Sequence, residues 1–160
     1  MTNLTKNEAL FLTIARVAVG WLMFYAGITK IMDPAWTAKG YLTTAKTFPE
    51  LFQWFASDAN IGWVNFVNEW GLTLLGISLI LGIGVRLSSV LGVGLMLLYY
   101  FPVLEFPKVE HGFLVDEHIV YAAVLLFFAA VRAGRYWGLE NWCANLPICR
   151  QYPKLHKFWG

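Results

Sequence analysis

Charge is scarce in this sequence: Asp, Glu, Lys and Arg make up 14% of its 160 residues and leave a net charge of +2. The basic residues are scattered between apolar stretches and form no basic face, which argues against nucleic acid as a partner. Cysteine is scarcer still. Cys143 and Cys149, the only two, stand near the end of the chain and far from any histidine pair, so they suggest neither a zinc site nor an iron–sulfur cluster and are expected to be plain thiols. The three histidines are equally dispersed, with His111 in a loop, His118 in an apolar helix and His156 in the tail. Paired axial haem ligands are therefore missing. The glycines sit inside apolar segments instead of following a strand, which excludes a dinucleotide-binding fingerprint. No low-complexity linker or internal repeat is present. With no metal ligands and no covalent cofactor in prospect, any redox role must use a diffusible quinone, a partner's cofactor, or both.

What the chain has in excess is apolar surface. Hydrophobic residues make up 58% of it, more than a soluble domain of this size needs, and the surplus calls for lipid as solvent. A helix must run for about 20 residues to cross a hydrocarbon core of roughly 30 Å. Four segments meet that need, at about 9–31, 63–84, 87–104 and 115–131. Backbone groups cannot go unsatisfied in lipid, so all four are expected to be helical. The fold expected is all-α, an integral membrane four-helix bundle. The first segment is too long for the apolar part of a signal peptide and shows no small-residue cleavage pattern, so it is expected to be retained.

Orientation follows from the basic residues. Four spans place both termini on one side. That side carries Lys6, Arg86, Arg132, Arg135, Arg150, Lys154 and Lys157, against Lys30, Lys39, Lys46 and Lys108 on the other. By the positive-inside rule the N- and C-termini are cytoplasmic, in a multi-pass protein of the cell membrane. The cysteines then face a reducing compartment, where a structural disulfide is disfavoured. Between the first two spans, Trp36, Tyr41, Phe48, Phe52, Trp54 and Phe55 suggest an interfacial segment with rings at headgroup level. The last twenty residues, 141–160, mix aromatic and basic residues in the same way and read as an interfacial, amphipathic cytoplasmic tail.

At 100° per residue each span gathers small and polar residues on one stripe. Arg16, Gly20, Met23, Gly27 and Lys30 form the first, and Asn65, Glu69, Leu72, Gly76 and Ile83 the second. Ser88, Gly92, Tyr99 and Pro102 align on the third, and His118, Ala122, Leu125, Ala129 and Arg132 on the fourth. Such stripes face inward in membrane bundles, where small residues let backbones approach. Lys30, Asn65, Glu69, Tyr99 and His118 all fall at the extracytoplasmic ends of their helices, one or two turns below the surface, and can converge on one pocket that Tyr41 caps from the connection. Glu69 must be paired or neutralised at that depth, and Lys30 is the expected partner. Arg16 lies toward the other face, as a structural clamp or part of a second polar site.

These residues stand in stretches that resemble the DoxX family and, within it, the DoxD-like branch. The stretches are ARVAVGWLMFYAGITKIMDPAWTAKGYL from Ala15 to Leu42, NEWGLTLLGISLILGIGVRLSSVLG from Asn68 to Gly92, and DEHIVYA through AGRYWGLE at the end of the bundle. The resemblance covers most of residues 10 to 140 and implies a four-helix membrane fold. DoxD-like proteins include the large subunit of a thiosulfate:quinone oxidoreductase, and other DoxX-like proteins are linked to redox homeostasis or membrane-protein assembly. Two functional readings remain open at this point. In the first the chain is a quinone-interacting oxidoreductase unit acting on thiosulfate or a related sulfur compound at the extracytoplasmic face. Glu69 and His118 are then catalytic, while Lys30, Tyr41, Asn65 and Tyr99 bind quinone or substrate. In the second it is a non-catalytic membrane protein that binds lipid, a partner subunit or another copy of itself within a redox or assembly complex.

Overall fold

A computed structural model of the protein describes residues 4–109, 112–140 and 142. Apart from Trp142, the tail expected at 141–160, with Cys143, Cys149 and His156, lies outside the described residues, as does His111.

Three of its helices are long and apolar enough to cross a membrane. The first, α1 (Lys6–Met32), starts at a capping box in which the Thr5 hydroxyl accepts from Glu8 N–H and the Glu8 carboxylate accepts from Thr5 N–H at 2.7 Å. This satisfies two backbone donors that the helix start would otherwise leave open. After two short helices, α2 (Lys39–Thr43) and α3 (Pro49–Ala56), the second long helix is α4 (Ile61–Leu81). It stops three residues short of the expected 84 because Gly82, with φ +68°, takes the left-handed conformation that closes a helix. Gly84, at φ +63°, then opens α5 (Val85–Val103). Two short antiparallel strands, β1 (Lys108–Val109) and β2 (Gly112–Phe113), precede α6 (Glu117–Val131). The α6 start moves from 115 to 117 because the Asp116 carboxylate accepts Ile119 N–H as the cap. At 15 residues α6 is apolar but shorter than the other three.

The chain is a multi-pass membrane protein, and its packing shows why lipid must be the solvent. Large apolar residues such as Phe11 and Trp21 on α1, Phe66 and Leu74 on α4, and Leu91 on α5 point outward, where water would leave a broad apolar surface uncovered. The inward faces are narrow. On α1 the buried set includes Arg16, Gly20, Met23 and Gly27, the expected stripe. On α4 it is Leu72, Thr73, Leu75, Gly76 and Leu79, whereas Ile83 falls beyond the helix end. On α5, Gly92 and Pro102 are buried as expected, whereas Ser89 and Tyr100 are buried in place of Ser88 and Tyr99, which are half-buried. Arg132, expected on the α6 stripe, instead ends that helix in the left-handed conformation at φ +53°.

Small residues set the closest approaches. A Cβ on Gly76 would lie 2.3 Å from Phe24 N, and one on Gly27 2.5 Å from Thr73 N, so α1 and α4 touch backbone to backbone. Gly20 and Gly92 are comparably tight, against Leu79 and Leu75. α5 packs in turn against α6, and the seam between α4 and α5 is more open than either of these pairings.

The connection between α1 and α4 folds into a small core of its own. Ala38, Leu42, Phe52 and Ala56 are buried there, with Trp36, Tyr41, Phe55, Val64 and Phe101 packed around them. Phe48, Leu51 and Trp54 stay on the outside of this unit. The Lys39 ammonium meets Asp58 at 2.6 Å, and its hydrogen bond and charge hold the Asp58 carboxyl below the usual range. The pair is solvent-exposed, so it orients the segment more than it stabilises it.

Candidate functional site

The end of α1, the start of α4 and the end of α5 meet at one level of the structure. Lys30, in the last turn of α1, extends its ammonium to the Tyr99 hydroxyl at 2.7 Å and to Asn68 Oδ1 at 3.1 Å. The Tyr99 hydroxyl donates to the same Asn68 oxygen at 2.8 Å, closing a three-residue ring of hydrogen bonds across three helices. With its oxygen accepting twice, Asn68 keeps its amide Nδ2 uncommitted among the described residues, as a donor. Two aromatic faces add to the cation's environment, Trp36 with its centroid 4.9 Å from Lys30 Nζ and Tyr99 at 5.1 Å.

Asn68 and Tyr99 form the polar end of a cavity of about 180 Å³ whose other walls include Trp36, Tyr41, Phe52, Phe55 and Trp63. That volume is comparable to the roughly 150 Å³ that admits a benzene ring in an apolar protein interior. Tyr41 lines the cavity as expected, and its hydroxyl donates to the Tyr99 carbonyl, tying α2 to α5. A second cavity of about 370 Å³ shares Tyr41 and is lined by Thr44, Lys46, Glu105 and Lys108, among others.

The remaining expected residues take different places. His118 stacks on the Tyr99 ring, with centroids 5.4 Å apart and planes 12° from parallel. Its Nδ1 lies 2.7 Å from Asp116 Oδ2. Both Asp116 oxygens are thus engaged, one by His118 and one by the α6 cap. The Asp116–His118 contact accounts for the closeness of two members of the group Asp116, Glu117 and His118, whose possible ligand atoms lie within 4.8 Å of one another. Asn65 does not reach the cavity's polar end. Its oxygen accepts from Ala38 N–H at 3.0 Å and its amide donates to Thr37, so it fastens the α1–α4 connection.

The direct Glu69–Lys30 ion pair is not formed. Glu69 acts on the Lys30 charge through space, but among the described residues its carboxylate makes no hydrogen bond or ion pair. One residue on α4 spans 100°, which is enough to put Asn68, in place of Glu69, in front of Lys30. Asn68 carried a legible signal, since it extends the buried series Leu72, Leu75 and Leu79 by one turn. Asp116 was detectable only as a helix cap.

Arg16 belongs to a different place, about 21 Å further along α1 at 1.5 Å per residue. It is 1% exposed, and neither its Nε nor its Nη1 meets a hydrogen-bond acceptor among the described residues. Three glycines make room there. A Cβ on Gly82 would stand 1.8 Å from Arg16 Nη1, one on Gly138 2.8 Å from it, and one on Gly134 2.2 Å from Glu140 Oε2. Glu140, 5% exposed, supplies the opposing charge and also lies 3.5 Å from Arg135 Nε.

A family model described as DoxX matches residues 11–104, more than half of the chain. No curated protein and no solved structure matches it.

Proposed function

The chain belongs to the DoxX family, and from that premise we propose that it is a quinone-binding membrane unit of an oxidoreductase, with its site at the extracytoplasmic face. The observation that carries this reading is the ring of Lys30, Tyr99 and Asn68 closing one end of an otherwise aromatic cavity. A quinone needs this combination: hydrogen-bond donors at a carbonyl, a flat apolar slot for the ring, and access from lipid. Asn68 Nδ2 donates to the carbonyl, and the Lys30 charge behind it stabilises the electron density that reduction places there. The bound quinone accepts two electrons and two protons. Glu69, through Lys30, and His118, held by Asp116, are the residues we assign to proton delivery.

In this reading α1, α4, α5 and α6 form the transmembrane four-helix bundle, both termini are cytoplasmic, and α2 and α3 lie at the interface with Phe48, Leu51 and Trp54 in the headgroups. The DoxD-like resemblance supplies the electron donor, thiosulfate or a related sulfur compound. The cavity bearing Lys46 and Lys108 supports an approach by such an anion from water. The predominantly apolar slot also supports a second reading, in which a lipid is held without chemistry and the chain serves a partner subunit.

Two measurements test these assignments. Tyr99→Phe and Lys30→Met should each lower quinone retained by the purified protein about tenfold or more, since charge-assisted bonds contribute roughly 1.5–3 kcal/mol. Both changes also break hydrogen bonds of the three-helix ring and should lower thermal stability in detergent, so retained quinone is compared at equal amounts of folded protein. Mass spectrometry of extracted lipids reads the result, and unchanged quinone in both variants would remove the site. Glu69→Gln and His118→Ala should abolish thiosulfate-driven quinone reduction, whereas no reduction by the wild type would favour the second reading. For orientation, a cysteine at Lys46 should react with an impermeant thiol reagent in intact cells while Cys143 does not. The opposite labelling pattern would invert the topology.

A further inference from the structure

The seam between α4 and α5 is more open than the α1–α4 and α5–α6 pairings, and an apolar groove of about 810 Å³ runs beside the two helices. It extends from Val67 and Leu98 at the cavity end to Ser78 and Leu87, about 16 Å along each helix at 1.5 Å per residue. Val67, Leu95 and Leu98 line both this groove and the ring-sized cavity. The two spaces therefore adjoin, and the polar ring of Asn68 and Tyr99 stands at their shared end. At the far end the Ser78 and Ser88 hydroxyls lie 2.7 Å apart, and Ser78 also donates to the Ile83 carbonyl at 2.6 Å. Their hydrogen-bonding capacity is spent on each other and on backbone, so the groove presents little polarity along its length.

Two glycines in the groove differ from those at the helix contacts. A Cβ on Gly94 would meet nothing within 4 Å, and one on Gly71 would meet only the Leu95 side chain at 3.7 Å. No backbone needs these positions empty. Glycine within a helix is less stable than alanine because it loses more conformational freedom on folding, so here it maintains space without improving helix packing.

From this continuity we infer that the α4–α5 groove holds the polyprenyl tail of the quinone whose ring occupies the adjoining cavity, which makes long-chain isoprenoid quinones the substrate class. The inference rests on the quinone reading of the cavity. A groove open along its side toward lipid lets a branched chain slide in laterally while the ring is captured by Asn68, with no passage through water. Burial of the tail against Leu74, Leu91 and Leu95 adds affinity through close apolar contact. A short-chain analogue forgoes that contact.

The test measures binding of two probes to the purified full-length protein in detergent, a quinone with a single isoprene unit and one with a long polyprenyl tail. The wild type should bind the long-chain probe about tenfold tighter or more. Gly94→Leu and Gly71→Leu place side chains in the groove and should remove most of that advantage while leaving the short-chain affinity unchanged. Gly94→Ala, which fills less of it, should fall between. Equal long-chain affinity in wild type and variants would overturn the tail assignment while leaving the ring site standing. Failure of the wild type to bind either probe would overturn the quinone reading and this inference with it. Loss of co-purified phospholipid, or of a dimer seen by light scattering, with quinone affinity unchanged in Gly94→Leu, would give the groove to a lipid chain or to a second copy and also overturn it.

Discussion

Gly76→Ala should destabilise the protein by about 1–3 kcal/mol or more, although it adds a single methyl group. The added Cβ would lie 2.3 Å from Phe24 N and 2.6 Å from Phe24 Cα. These are backbone atoms of α1, which cannot rotate away as a side chain can. Relief requires α1 and α4 to separate, and that loosens the contacts of Gly20 and Gly27 along the same seam. In lipid no hydrophobic drive pulls the helices back together, because the acyl chains are as apolar as the side chains; close packing itself holds the pair. Gly76→Leu should be worse. Gly94→Ala is the internal control, since open space surrounds that position and alanine is the better helix former. Thermal melting in detergent should separate the two alanine variants clearly. Equal melting of Gly76→Ala and the wild type would mean that α1 and α4 do not meet as described.

Arg16→Met should have the largest effect of any single change at the opposite end of the helices. Arg16 and Glu140 are both buried, and each supplies the other with opposing charge. Removing one member of such a pair leaves an uncompensated carboxylate in a low-dielectric setting, with a cost on the order of 3–5 kcal/mol. Arg135, 3.5 Å from the same carboxylate, offsets part of it. The informative experiment is the cycle with Glu140→Gln. Once the carboxylate is neutral, losing Arg16 should cost much less, and the coupling should fall in the range of roughly 0.5–3 kcal/mol found for residues that interact energetically. Additive costs would mean that Arg16 is held by something other than Glu140. Since Gly82 and Gly138 leave room for the guanidinium, Gly82→Ala should reproduce the defect from the other side. Its Cβ would collide with Arg16 and occupy a backbone at φ +68° that side chains disfavour.

The two ends of the helices differ in how much of them could be read from residues alone. The membrane environment, the long helices and the inward stripe of α1 were legible because they depend on local quantities: hydropathy over twenty residues and a period of 3.6. Gly20, Gly27, Gly76 and Gly92 were legible as contact positions for the same reason, since small residues mark close approach wherever lipid is the solvent. Gly82 and Asp116, which trim the expected spans, act through conformation and capping that hydropathy does not register.

The partners of the polar residues depended on tertiary structure. Lys30 was expected to meet Glu69 and meets Asn68 and Tyr99, a difference of one residue or 100° on α4. Asn65 was expected at the site and instead binds the Thr37–Ala38 backbone and hydroxyl. The groove beside Gly71 and Gly94 depends on how far apart α4 and α5 stand, which no stripe of residues encodes. In water, burying the apolar face fixes each helix's rotation, so pattern and orientation coincide. In lipid nearly every face is apolar, and rotation is decided by the fit of one helix surface against the next, a property of the assembled helices and of no single segment.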